Sequence, residues 1–264
     1  MKRAINAGVL ALGLALALAG WLAGCSSHST EDGMAAAATP MAPLPAGAKL
    51  QWRALAAAGD DSAPVFDNAV NRFSEILQAH GVSHIERFTS DQTYATNDRP
   101  IATADLMTTA MDQNRPGPGE GCLVFLTSHG SRDGLLLRDD HDHQQILDPS
   151  TLGRMLDEGC GNAPTVAIVS GCFSGVFIGR VTEAPNRIIL TAAREDRTSF
   201  GCGHEEQFTY FDDCLFRSWP QSQNWQALYQ ATDACVRRKE IDLKAQHSEP
   251  QAFFGDAVKN LALP

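Results

Sequence analysis

Positive charge is scarce in this 264-residue chain: 21 Lys and Arg stand against 31 Asp and Glu, for a formal net charge of −10. The basic residues gather into no stripe or patch. That excludes a nucleic-acid-binding footprint and an electrostatic hold on anionic lipid. No internal repeat is visible. The N-terminal apolar stretch, residues 7–22, is broken by Gly and Trp, and it is too short and wrongly flanked for a settled membrane helix.

What the N-terminus does hold is Lys2 and Arg3, that apolar stretch, and then Leu-Ala-Gly ahead of Cys25 and Ser26. A basic start, a short apolar region and small residues before a cut mark a secretory signal over residues 1–24. The Leu-Ala-Gly-Cys ending resembles a bacterial lipobox. The likeness implies a diacylglyceryl group on Cys25 and attachment to the membrane through that N-terminal lipid. Serine at position 26, rather than aspartate, implies the outer membrane, facing the periplasm. Residues 25–48 are rich in Ser, Ala, Pro and Met without periodicity and are expected to form a lipidated flexible tether. Residues 49–264 are enough for one substantial domain and too few for two; monomer is the default.

Within that domain the apolar pattern alternates between strands and helices. Residues 50–58 read as a first strand leading into Gly59-Asp60-Asp61. Residues 68–79 place Val70, Phe73, Ile76 and Leu77 at helical spacing. Residues 85–89 form a weaker strand and 101–111 a helix. Later, 187–191 is a strand and 223–242 a helix that turns Trp225, Leu228 and Tyr229 inward. The expected fold is α/β, with a mostly parallel central sheet of about six strands and helices on both faces.

Two segments carry the chemistry. Residues 123–130 run Leu-Val-Phe-Leu-Thr-Ser-His-Gly, and 165–175 run Thr-Val-Ala-Ile-Val-Ser-Gly-Cys-Phe-Ser-Gly. Each is a short apolar strand that stops at a reactive side chain flanked by glycine. A thiol needs a base to become the nucleophilic thiolate, and a glycine-flanked turn lets backbone N–H groups approach a developing oxyanion. Between the strands, Asp148-Pro149-Ser150 supplies a helix start, residues 151–158 a short amphipathic helix, and Gly159 its end. Strand, helix and strand, with both strands apolar, make a βαβ unit in a buried parallel sheet. Parallel strands bring their C-terminal ends to one edge, where open α/β sheets build their sites. His129 and Cys172 are therefore expected to be neighbours, as the chemistry of a cysteine peptidase requires.

At these residues the chain resembles the legumain-like family of cysteine peptidases, whose caspase-like fold is shared with caspases and gingipains. Residues 188–202 resemble that family's next strand and substrate loop, 208–213 the segment after it, and 248–256 the closing strand of bacterial members. The likeness covers roughly residues 51–263. It implies Cys172 as nucleophile, His129 as the group that manages protons at the thiol and leaving amine, and the N–H groups of Gly130 and Cys172 as oxyanion hole. A peptide carbonyl would be attacked, a thioester acyl-enzyme formed and water used to release it, with no cofactor, no metal and no third carboxylate. Asp133 reads as a loop residue. Ser170, Ser199 and Asp213 are the implied substrate-binding residues. Legumain proper recognises asparagine with an Arg-His pair on the first strand-to-helix connection, a serine in the substrate loop and an aspartate after it. Here Val65-Phe66 stands in place of the Arg-His pair, so a basic or amide side chain is open alongside asparagine. Two other classes share the likeness: a peptide ligase that opens the acyl-enzyme with an amine, and a non-catalytic envelope-binding lipoprotein.

Seven cysteines, less Cys25 and Cys172, leave an odd five. Cys122 opens the His-bearing strand and Cys160 closes the helix running back beside it, so they are the expected disulfide. A second bridge among Cys202, Cys214 and Cys235 is open, against buried free thiols. His141 and His143 sit in an acidic segment that suggests zinc or calcium, but a solvated loop between Leu135-Leu-Leu137 and the helix is the expected form.

Overall fold

The computed structural model describes residues 49–138, 144–203 and 205–264. Cys25, the tether, the segment 139–143 with its two histidines, and His204 lie outside the described residues. The chain opens with β1 (Gln51–Ala58), passes through Gly59 to α1 (Val65–Ala79), and continues as β2 (His84–Phe88), α2 (Ala104–Gln113) and β3 (Glu120–Thr127). A hairpin excursion follows, with β4 (Gly130–Ser131), β5 (Gly134–Arg138) and β6 (Gln144–Leu147). Then come α3 (Pro149–Met155), β7 (Thr165–Ser170), β8 (Arg187–Thr191), α4 (Tyr210–Ser218), α5 (Trp225–Asp242) and β9 (Gln251–Phe254).

The six-stranded sheet has the order β2-β1-β3-β7-β8-β9. All neighbours are parallel except β9, which runs antiparallel to β8. This is the expected α/β, caspase-like architecture. Its central strands are apolar on both sides because helices cover both faces, as a parallel sheet requires. On one face Phe73 and Leu77 of α1, Phe216 of α4 and Trp225 of α5 pack with Phe125 of β3 and Ile168 of β7. On the other, Met107 and Met111 of α2 and Leu152 and Met155 of α3 pack with Val124, Leu126 and Val169. A fully buried side chain such as Phe73 contributes about 2–3 kcal/mol to this core.

Four local features depart from the sequence expectation. Helix α1 begins at Val65 rather than 68, because Pro64, with φ −68°, suits a first helical turn where no N–H is needed. Helix α3 begins at Pro149 rather than 151, capped by Asp148, whose Oδ1 accepts from the amides of Ser150 at 2.8 Å and Thr151 at 3.1 Å. The Ser150 and Thr151 hydroxyls add to this and hold its carboxyl down at about 2. Helix α3 also does not stop at Gly159. It runs on as a π turn, Leu156–Cys160, ended by Gly161 at φ +56°, while Gly159 is small because Met111 packs on it; a Cβ there would lie 2.6 Å from Met111 Cβ. Residues 210–218 form a helix where the sequence showed only a segment after the substrate loop.

Two disulfides brace this frame. Cys122 at the start of β3 joins Cys160 at the end of the π turn, the pair expected from the sequence. Cys214 of α4 joins Cys235 of α5, which selects one pairing from the open trio and leaves Cys202 a free thiol. No helix among the described residues is long and apolar enough to cross a membrane.

Candidate active site

The β3–β7 register decides where the two reactive side chains leave the sheet. Thr127, the last residue of β3, pairs with Ser170, the last of β7, and the Ser128 amide donates to the Ser170 carbonyl at 3.0 Å. His129 and Cys172 each lie two residues beyond that pair, so they leave the same sheet edge at the same level. Their loops touch through backbone. A Cβ on Gly130 would lie 2.1 Å from the Cys172 carbonyl oxygen and 3.1 Å from its nitrogen, and one on Gly171 would lie 2.8 Å from the Ser128 carbonyl oxygen. The flanking glycines are therefore required by contact between the two loops.

Cys172 is half-buried, and its sulfur is met from the loop after β8. The Ser199 amide donates to Sγ at 3.3 Å, and the Ser199 carbonyl and hydroxyl oxygens lie 3.5 and 3.7 Å away. Phe173, directly after Cys172, adopts φ +59°, a left-handed conformation that costs a non-glycine residue about 1 kcal/mol. Its amide donates to the Arg197 carbonyl at 2.7 Å, and the Arg132 guanidinium sits over its ring at 5.6 Å. The substrate loop is braced in turn: Arg194 pairs with Asp196 and Glu249, and Arg197 Nη2 lies 3.5 Å from Glu249.

His129 is half-buried and packs edge-on against Phe66, with ring centroids 5.2 Å apart at 78°. Phe66 and Val65 are fully buried, and Phe66 is an apolar wall beside the histidine. Asp133 is exposed in the turn between β4 and β5.

Two of the implied substrate-binding residues are displaced from that role. Ser170 is buried at 1% exposure, with its hydroxyl 3.4 Å from that of Thr209, and so lies under the site rather than in its lining. Asp213 turns away: Lys239 of α5 holds its carboxylate at 3.0 Å. Successive helical residues differ by about 100°, and it is the preceding residue, Asp212, that points at the strand ends. Asp212 is fully buried and its Oδ2 accepts from the Thr127 hydroxyl at 2.9 Å. Burial pushes its carboxyl up to about 6, against the hydroxyls of Ser170, Thr127 and Thr209. Only the acid at N3 after Thr209 hinted at it in the sequence, as a capping box.

Two further groups, Asp60 and Cys202, carry no site role in the sequence expectation. Asp60, buried just past β1, accepts from the Ser62 amide at 2.8 Å and faces Arg138 Nε at 3.6 Å. Cys202 is half-buried in the substrate loop, where burial first, and then the nearby Cys172, raise its thiol pKa. Among the described residues no group of three His, Cys, Asp or Glu is arranged to hold a metal ion.

The model of the peptidase C13 family matches residues 112–263, more than half of the chain. The chain belongs to that family. The match spans β3 through β9 and so includes both strands of the candidate dyad, and peptidase C13 membership makes a cysteine peptidase acting on protein or peptide the family-level activity. No curated protein matches this peptidase C13 chain.

Proposed function

We propose that this protein is a cysteine endopeptidase in which Cys172 attacks the scissile carbonyl and His129 moves the protons. The observation that carries this reading is the shared register: β3 and β7 release the two side chains at the same level of one sheet edge, with glycine-to-backbone contact between the loops. The Gly130 and Cys172 amides would stabilise the oxyanion of the tetrahedral intermediate. Cys172 then becomes the acyl carrier, His129 protonates the leaving amine, and water activated by His129 releases the product acid and regenerates the thiol. Ser199 lies beside the sulfur and is the implied substrate-binding residue that stays in the site. We further propose residues 1–24 as a signal peptide, Cys25 as a lipidated N-terminus and residues 25–48 as a tether. Together they would place the domain, as a monomer, on the outer membrane facing the periplasm.

The test is cleavage of a diverse peptide library by protein lacking residues 1–25, read by mass spectrometry beside its Cys172→Ala variant. Cleavage by the first and not the second is expected, and the residue before each cut reports the pocket. Identical behaviour of the two proteins, with Cys172 inert to a thiol-reactive probe under reducing conditions, sinks the proposal.

A further inference from the structure

Asp212 takes no part in the proton and acyl transfers above, yet it is bonded to the frame that delivers both reacting groups. It sits in the first turn of α4, where its amide donates to the Thr209 hydroxyl at 3.1 Å. In a capping box the acid at this position reaches back to the amide of the cap residue. Here Oδ2 reaches across instead to the Thr127 hydroxyl, 85 residues away in sequence. Oδ1 is buried with no hydrogen-bond partner among the described residues. The Ser170 hydroxyl also acts on the carboxylate. Thr127 and Ser170 are register partners and the last residues of β3 and β7. Each is two residues from a member of the candidate dyad.

Burying an acid is costly, and a buried carboxylate with one oxygen unpaired is a poor choice for stability alone. Its platform is firm, because Cys214, two residues on, is disulfide-bonded to α5. We propose that Asp212 is a positioning residue: by holding the ends of β3 and β7 against the first turn of α4, it fixes the separation of Cys172 and His129. This rests on the peptidase reading above. The groups facing it are the hydroxyls of Thr127 from β3, Ser170 from β7 and Thr209 from the cap of α4, and no charged side chain among the described residues acts on it. The ionised carboxylate accepts from these donors more strongly than the acid does, so the clamp is tightest above about pH 6 and loosens below it.

Asp212→Asn and Thr127→Val nearly keep shape and each removes the charge-assisted bond from one end. In the folded full chain, with a peptide taken from the library, both should lower kcat by about a hundredfold, the scale of a small misplacement of reacting atoms, with KM within about twofold. The rate of Cys172 alkylation by iodoacetamide should show an acid limb near pH 6 in the wild type that is missing in Asp212→Asn. Wild-type kcat and an unchanged alkylation profile in either folded variant overturn the proposal. Should Asp212→Asn fail to fold, Thr127→Val and Ser170→Ala decide it, and wild-type behaviour in both counts against the clamp. A wild type that cleaves nothing, and so matches Cys172→Ala, would refute the peptidase reading. The alkylation limb would still decide the clamp independently.

Discussion

Glycines 130 and 171 show how residue choice at a reactive site can be dictated by backbone rather than by chemistry. Both could be read in the sequence as room for an oxyanion, and both turn out to be places where one loop's backbone presses on the other's. Asp212 shows the converse, a choice costly for folding. Its carboxyl is raised from 3.8 to about 6 by burial. A group held more firmly protonated in the folded state contributes most to stability below its unfolded pKa, and that contribution disappears as pH rises through the folded value. The sign therefore runs against the usual carboxylate: the Asp212 contribution should fall by about 3 kcal/mol between roughly pH 4 and 6 and stay flat above. Urea unfolding of wild type and Asp212→Asn across that range isolates it from the other acids. The expected difference profile is level above pH 6 and slopes between 4 and 6; a level profile throughout would contradict the assignment.

Elements, rather than single side chains, explain why the two disulfides occupy their positions. The Cys122–Cys160 bridge closes 38 residues at the start of β3, the end of the sheet opposite the dyad, and Cys214–Cys235 closes 21 between α4 and α5. On a chain-entropy basis the first is worth about 4 kcal/mol and the second about 3. Cys122→Ala with Cys160→Ala should lower the urea midpoint accordingly while leaving kcat near wild type below the transition, since the bridge touches neither reactive loop. Removing the α4–α5 bridge should lower kcat as well, because α4 carries Asp212. Kinetics and urea melts of the two double variants separate these outcomes, and equal kcat loss in both would argue that only global stability matters.

At the scale of the whole molecule, the proposed lipid anchor and the proposed dyad belong to separate parts of the chain. The described domain shows no helix fit to span a bilayer, and an acidic chain gains nothing from anionic lipid. The proposed attachment is through the lipid on Cys25. Cys25→Ala, expressed in a bacterial host, should move the protein from the membrane pellet to the soluble fraction and abolish incorporation of labelled fatty acid, with library cleavage unchanged. Retention in the pellet would overturn the lipid-anchor reading.

Much of the fold is legible in the sequence. The strand over residues 187–191 and the inward-facing Trp225 and Leu228 of α5 could be read directly, because parallel strands covered on both faces must be apolar throughout and helices must repeat near 3.6. The level ends of β3 and β7 followed from parallel strand direction, and the Cys122–Cys160 pair from where its two elements end. What the sequence could not decide was which of two adjacent aspartates looks at the strand ends. Asp212 and Asp213 are chemically identical, and only the rotation of α4, set by Phe211, Cys214 and Leu215 entering the core, turns one inward and gives the other to Lys239. The same holds for Phe66 behind His129, for the burial of Ser170 and for the Cys214–Cys235 choice. Local sequence determines what an element is and which way its chain runs; packing against distant elements determines which side chain faces the chemistry.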